Sequence, residues 1–82
     1  MSTGARVKII DQAILPSAEP GRIGKRDVVI TYQDEALRMR IVTIPFEKLE
    51  GKTDEEQWAV IQDYIRKNEA DRRKFIGKEF AL

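Results

Sequence analysis

The chain contains no cysteine and no histidine among its 82 residues. Without cysteine it cannot form a disulfide, present a thiolate nucleophile or hold a zinc ion or iron–sulfur cluster through sulfur. Without histidine it lacks the commonest metal ligand and the side chain best suited to proton transfer near neutral pH. These absences predict that the protein is not an enzyme and that it uses neither a cofactor nor a metal.

An excess of one charge sign is also missing, and so are long apolar runs. The 15 basic and 14 acidic residues leave a net charge of +1, so the chain as a whole is neither drawn strongly to nucleic acid nor repelled by it. No apolar run approaches the roughly 20 residues that cross a bilayer, and the N-terminus lacks the apolar core of a signal peptide. We therefore expect no membrane association and a cytoplasmic location.

The chain has the length of one small domain, covering residues 1–82, and is too short for two. Prolines and glycines crowd into residues 16–26, which predicts a flexible loop between two strands. Residues 77–82 form a predicted C-terminal tail that carries Phe80 and Leu82. Because disordered tails rarely carry large apolar residues, we expect this tail to contact either the body of the domain or a partner.

Three segments of the chain predict strands, because they alternate apolar and polar residues or are rich in β-branched ones. The predicted strands cover residues 6–14, 27–33 and 37–46. Thr53 is followed three residues later by Glu56, the spacing of a capping box, which predicts a helix from there to about residue 68. The helix carries an apolar stripe through Ile61 and Ile65 that can cover one face of a sheet.

The predicted fold class is therefore α+β. We expect a small three-stranded antiparallel sheet in β-β-β-α order, with one C-terminal helix packed on one face. The charged stretch 69–74 leaves two alternatives open, a longer helix or a second short helix that restarts near Asp71. Trp58 lies on the apolar stripe, which favours a place in the core over a role as an exposed recognition residue.

The alternation of odd- and even-numbered positions in the second and third strands predicts which residues share the core face. A connection with an even number of residues, running through residues 33–36, would bring apolar residues of the two strands opposite one another. The predicted pairs are Tyr32 with Leu37, Ile30 with Met39 and Val28 with Ile41. The opposite face of the sheet would then carry Val29, Thr31, Arg38 and Arg40.

The first functional hypothesis is a non-catalytic interaction module or accessory subunit that binds a protein partner or associates with itself. It rests on the lack of catalytic chemistry and on apolar residues left over once the core is assigned, since small domains often gain stability by association. Those residues are Val42, Ile44, Phe46, Phe75, Phe80 and Leu82. The expected partner contacts are Phe75, Phe80 and Leu82.

The second hypothesis is a nucleic-acid-binding domain, with DNA as one candidate ligand. Arg38 and Arg40 on the outer sheet face would join Arg22, Lys25 and Arg26 of the loop to contact phosphates. Arginines on the wet face of an antiparallel sheet are more often ordinary solvated residues, and the net charge of +1 favours that simpler interpretation. The interaction module is therefore the preferred hypothesis.

Overall fold

The structure is a computed structural model that describes residues 6–82. Strand β1 covers Lys8–Pro16, β2 covers Arg26–Gln33 and β3 covers Met39–Pro45, and helix α1 covers Asp54–Arg73. The strands form one antiparallel sheet in the order β1-β2-β3. This confirms the predicted α+β fold with one C-terminal helix. Of the two alternatives for residues 69–74, the longer helix is found.

Strands β1 and β2 pair with a β-bulge near the start of β1. Ile9 lies opposite Tyr32 and Asp11 lies opposite Thr31, so Ile10 is the extra residue. A bulge increases the local twist and interrupts the row of backbone groups that an edge strand offers to other chains. β1 is thus an edge strand whose free edge is irregular.

The predicted register between β2 and β3 is wrong. The observed pairs are Tyr32 with Arg40, Ile30 with Val42 and Val28 with Ile44. The shift from the predicted register is odd, and an odd shift turns every side chain of β3 to the other face of the sheet. Leu37, Met39 and Ile41 are therefore exposed, and Val42 and Ile44 lie in the core in their place.

The connection between β2 and β3 causes this change of register. It contains the five residues 34–38, and Asp34 holds it closed by accepting hydrogen bonds from the backbone N–H of Leu37 at 3.0 Å and of Arg38 at 3.0 Å. Leu37 adopts the left-handed conformation with φ of 63°, which is uncommon for a residue with a side chain. The geometry of this five-residue turn therefore sets the register, although the alternation of apolar residues favours a connection with an even number of residues.

The core lies between the sheet and α1. It is formed by residues of β2, β3, α1 and the turn that follows β3: Val28, Ile30, Tyr32, Val42, Ile44, Leu49, Ile61 and Ile65. Trp58 is not part of this core, because its side chain is half exposed at the side of the helix. The predicted core role of Trp58 is wrong.

The predicted start of the helix is confirmed. The Thr53 hydroxyl accepts a hydrogen bond from the Glu56 backbone N–H at 3.2 Å, and the Glu56 carboxylate accepts one from the Thr53 backbone N–H at 2.9 Å. These bonds satisfy two backbone groups that have no partner within the helix, and the bond from the Thr53 backbone lowers the pKa of Glu56. The cap fixes where α1 begins and so aims its apolar stripe at the sheet.

Candidate functional site

The sheet has one face that α1 does not cover. Directly opposed residues share a face, so the row Ala13, Val29 and Thr43 points away from the core residues that alternate with it along β2. We call this surface the open face. Its residues are Lys8, Asp11, Ala13 and Leu15 of β1, Asp27, Val29, Thr31 and Gln33 of β2, and Met39, Ile41, Thr43 and Pro45 of β3.

The open face carries both apolar and polar side chains, and no charge lies at its centre. The side chains of Leu15, Met39 and Ile41 are 48%, 54% and 57% exposed. Lys8 and Asp11, which have opposite charges, lie on its β1 margin. An antiparallel sheet with one wet face normally alternates apolar and polar residues, whereas here apolar residues lie on both faces. β3 in particular has large apolar residues on both of its faces, Met39 and Ile41 on one and Val42 and Ile44 on the other.

The chain after α1 forms a second apolar surface. Phe75, Ile76, Phe80 and Leu82 are all at least 70% exposed. None of them belongs to the core cluster or to the residues packed against it. Of the two contacts expected for residues 77–82, the one with the body of the domain is therefore wrong. A contact of Phe75, Phe80 and Leu82 with a partner stays a prediction.

Arg22, a predicted nucleic-acid contact, is held by carboxylates. Its guanidinium lies 2.7 Å from Glu47 and 2.7 Å from Asp27, and it also donates to the Ser17 hydroxyl at 3.4 Å. The hydrogen bond from Arg22 lowers the pKa of Glu47 to about 2, and the bond to Glu47 raises the pKa of Arg22 above its ordinary value. The ion pair ties the loop between β1 and β2 to the segment that follows β3.

Arg40 lies on the helix side of the sheet, so its predicted place on the outer face is wrong. Its Nε atom lies 3.1 Å from Asp34 and 3.4 Å from Glu69 of α1. Glu69 also accepts a hydrogen bond from the Tyr32 hydroxyl at 2.7 Å, and Asn68 donates to the same hydroxyl at 2.7 Å. These contacts fasten the C-terminal half of the helix to the sheet.

The pKa shifts in this network follow from burial and hydrogen bonding. Burial, with a smaller contribution from the hydrogen bond to Glu69, raises the pKa of Tyr32, so its hydroxyl stays protonated. The backbone N–H of Arg38 and the guanidinium of Arg40 lower the pKa of Asp34. Tyr32 therefore stays neutral and Asp34 stays negatively charged, and these are the states in which they make the contacts described above.

The other three residues predicted to bind nucleic acid do not form one surface with Arg22 and Arg40. The Arg26 guanidinium lies 4.3 Å from the centre of the Phe46 ring, a cation–π distance. Lys25 is exposed in the loop before β2, and Arg38 is exposed in the turn before β3, so its predicted place on the outer sheet face is also wrong. The structure does not bring the five together as a cationic sheet face. Nucleic-acid binding stays a prediction that this geometry does not favour.

A shallow groove lies beside the helix. It has a volume of about 210 Å³ and is lined by Val7, Trp58, Gln62, Ile65 and Arg66. Within residues 6–82, no group of three or more acidic side chains is arranged to hold a metal ion. No helix in this part of the chain has the length and apolar character needed to cross a membrane.

Comparison of the chain with protein-family models, with curated proteins and with solved structures finds no match. The fold and the site together define a small α+β domain with one sheet face covered by the helix and one open face that carries exposed apolar residues. The sequence reasoning did not find the open face. The sequence did contain one indication of this face, because β3 has apolar residues at both odd and even positions. Met39 and Ile41 are at odd positions, and Val42 and Ile44 are at even positions.

Proposed function

We propose that the protein is a non-catalytic interaction module or accessory subunit that acts by binding a protein through apolar surface. The observation that carries this proposal is the open face, on which the exposed Met39 and Ile41 are neighbours on β3 and lie beside Val29 and Thr31 of β2, with no charge among them. The largest exposed apolar patch of a protein is often a binding site. The exposed side chains of Phe75, Phe80 and Leu82 add a second apolar surface.

The arrangement of the ionisable groups supports a non-catalytic role. Those with clearly shifted pKa values serve structural contacts: Arg22, Glu47 and Asp34 in ion pairs, Glu56 in the helix cap and Tyr32 in the contact between α1 and the sheet. A catalytic acid or base needs a pKa near the working pH and a free approach to substrate. None of these shifts moves a group toward neutral pH.

The test compares two lysine variants in the same binding assay. Proteins captured by the wild-type chain from its own cells are identified and purified, and binding is measured again with the isolated components. We expect Ile41→Lys to lose this binding because it places a charge in the open face. Ile23→Lys is the matched control, since Ile23 is an exposed isoleucine in the loop between β1 and β2.

A partner that binds both variants equally would show that the open face is not the binding surface. The double variant Phe80→Ser and Leu82→Ser tests the C-terminal apolar surface in the same assay. Binding that is lost only in this double variant would assign the function to the C-terminal residues. If neither a partner nor self-association is found, the proposed function is wrong.

A further inference from the structure

We infer that the open face is covered by a second copy of this chain, so that the protein is a two-fold symmetric dimer with its two sheets face to face and its helices outside. This inference rests on the proposed function and names the partner. β3 has large apolar residues on both faces of the sheet, and α1 covers only one of these faces. A second identical sheet would complete the other side as in a β-sandwich.

The exposed area of the chain supports association. The chain exposes 6772 Å², whereas a compact monomer of 9.5 kDa exposes about 5,000 Å², an excess of about 1,700 Å². A standard protein interface buries about 800 Å² on each partner. The excess belongs to the chain as a whole, and the exposed residues after α1 contribute to it together with the open face.

The open face alone is smaller than a standard interface. Three strands about 4.8 Å apart and about seven residues long give a flat footprint of roughly 300 Å². We therefore expect a weak dimer, with a dissociation constant in the upper part of the micromolar range.

The charge of the open face favours a second copy over a charged partner. In a two-fold interface each patch meets the same patch of the partner, so a charged patch would meet its own charge. Here the β1 margin carries Lys8 and Asp11, one of each sign, and Asp27 at the end of β2 is neutralised by Arg22. The net charge of +1 leaves little repulsion between two copies.

The edges of the sheet are poorly suited to pairing with a second copy of the chain. The free edge of β1 is interrupted by the bulge at Ile10 and ends at Pro16, and β3 ends at Pro45. Bulges and prolines at sheet edges discourage pairing with another chain because they break the row of backbone hydrogen-bonding groups. A dimer that uses the open face leaves these edges unpaired.

The first test is sedimentation equilibrium from about 1 µM to about 1 mM, a range that spans weak to moderate dimerisation. We expect the mass of the wild-type protein to rise from the chain mass of 9.5 kDa to twice that value. Ile41→Lys should raise the dissociation constant by at least about 100-fold, because it would bury an unpaired charge in the interface. Ile23→Lys should leave the dissociation constant unchanged.

A second measurement stays informative even if Ile41→Lys folds poorly. Because the chain has no cysteine, one introduced cysteine is a unique probe. Thr31 lies in the middle strand of the open face and would be close to its own counterpart near a two-fold axis. We expect Thr31→Cys to form a covalent dimer on mild oxidation at protein concentrations at which Ile23→Cys stays monomeric.

The outcomes separate this inference from the proposed function. A wild-type protein that stays monomeric at all concentrations overturns the dimer but leaves a different protein partner to be identified by the capture assay. A dimer that Ile41→Lys does not weaken, or an equal yield of covalent dimer from both cysteine variants, overturns the open face as its interface. Concentration-dependent dimerisation that is lost only in Ile41→Lys supports the inference.

Discussion

Both faces of the sheet carry large apolar residues, yet only one of the faces is covered by the helix. On the covered face, Ile30, Tyr32 and Ile44 are completely buried beneath α1, whereas on the open face Met39 and Ile41 are more than half exposed. β3 contributes to both faces with side chains of similar size and polarity. The comparison shows that in β3 the type of residue does not distinguish the core face from the open face. The position of α1 separates them.

The largest expected effect comes from truncating the same residue type on each face. Ile44→Ala should lower the free energy of unfolding by about 2–5 kcal/mol, because it leaves a cavity under the helix. Ile41→Ala, three residues away on the open face, should cost less than about 1 kcal/mol in the monomer. Urea denaturation at a protein concentration too low for self-association measures both. Similar costs for the two variants would contradict the assignment of the faces.

Removing the Tyr32 hydroxyl tests how the helix is held on the covered face. Tyr32→Phe should lower the free energy of unfolding by about 1–3 kcal/mol, since Glu69 and Asn68 lose a buried hydrogen-bonding partner. Tyr64→Phe is the matched control, because Tyr64 lies on α1 at the periphery of the core. Chemical denaturation of both variants gives the comparison, and equal stability losses would show that the buried network does not fasten α1.

Acid should weaken the ion pair between Arg22 and Glu47, which ties the loop between β1 and β2 to the segment that follows β3. The pKa of Glu47 is about 2 in the folded protein and about 4.5 without its partners. Because the unfolded chain binds the proton first as the pH falls, the contribution of Glu47 to stability is complete above about pH 4.5. That contribution is lost as the pH falls to about 2. Asp34, whose pKa is also lowered, acts in the same direction.

Glu47→Gln should therefore be less stable than the wild type at neutral pH and should lose less stability between pH 5 and pH 2. Denaturation curves across this range measure the slope, with Glu50→Gln as the control for removing one nearby negative charge. If the two variants lose stability equally on acidification, the ion pair between Arg22 and Glu47 is not the source of the acid sensitivity.

The smallest expected effect concerns nucleic acid. Because the predicted basic residues are divided between ion pairs, a ring contact and separate loops, we expect fluorescence anisotropy to show no binding to duplex DNA or single-stranded RNA at near-physiological salt. Arg38→Ala and Lys25→Ala should then not differ from the wild type. Steeply salt-dependent binding that is lost in Arg38→Ala would instead support the nucleic-acid hypothesis.

Much of the fold could be predicted, because its signals are local. The capping box of Thr53 and Glu56 fixes the start of α1, and the β-branched residues of β2 specify a strand without help from the rest of the chain. The order of the elements and the antiparallel sheet follow from these segments and from short connections between them.

The candidate site was harder to predict, because it depends on the register of one strand. Parity favoured Met39 and Ile41 for the core, and it would have favoured Val42 and Ile44 equally well. The choice was made by the turn, in which Asp34 holds Leu37 in a left-handed conformation that leucine seldom adopts. The sequence also does not show that the C-terminal apolar residues are exposed, because their exposure follows from their position away from the core.

The sequence by itself determined the kinds of chemistry open to this protein, the start of its helix and the number of its strands. These properties depend on which residues are present and on interactions between residues close together in the chain. Only the tertiary structure decided which apolar residues are exposed and which arginines are neutralised. Those outcomes depend on residues far apart in sequence, such as Arg22 with Glu47 and Tyr32 with Glu69, which meet only when the turns and the helix have set the geometry.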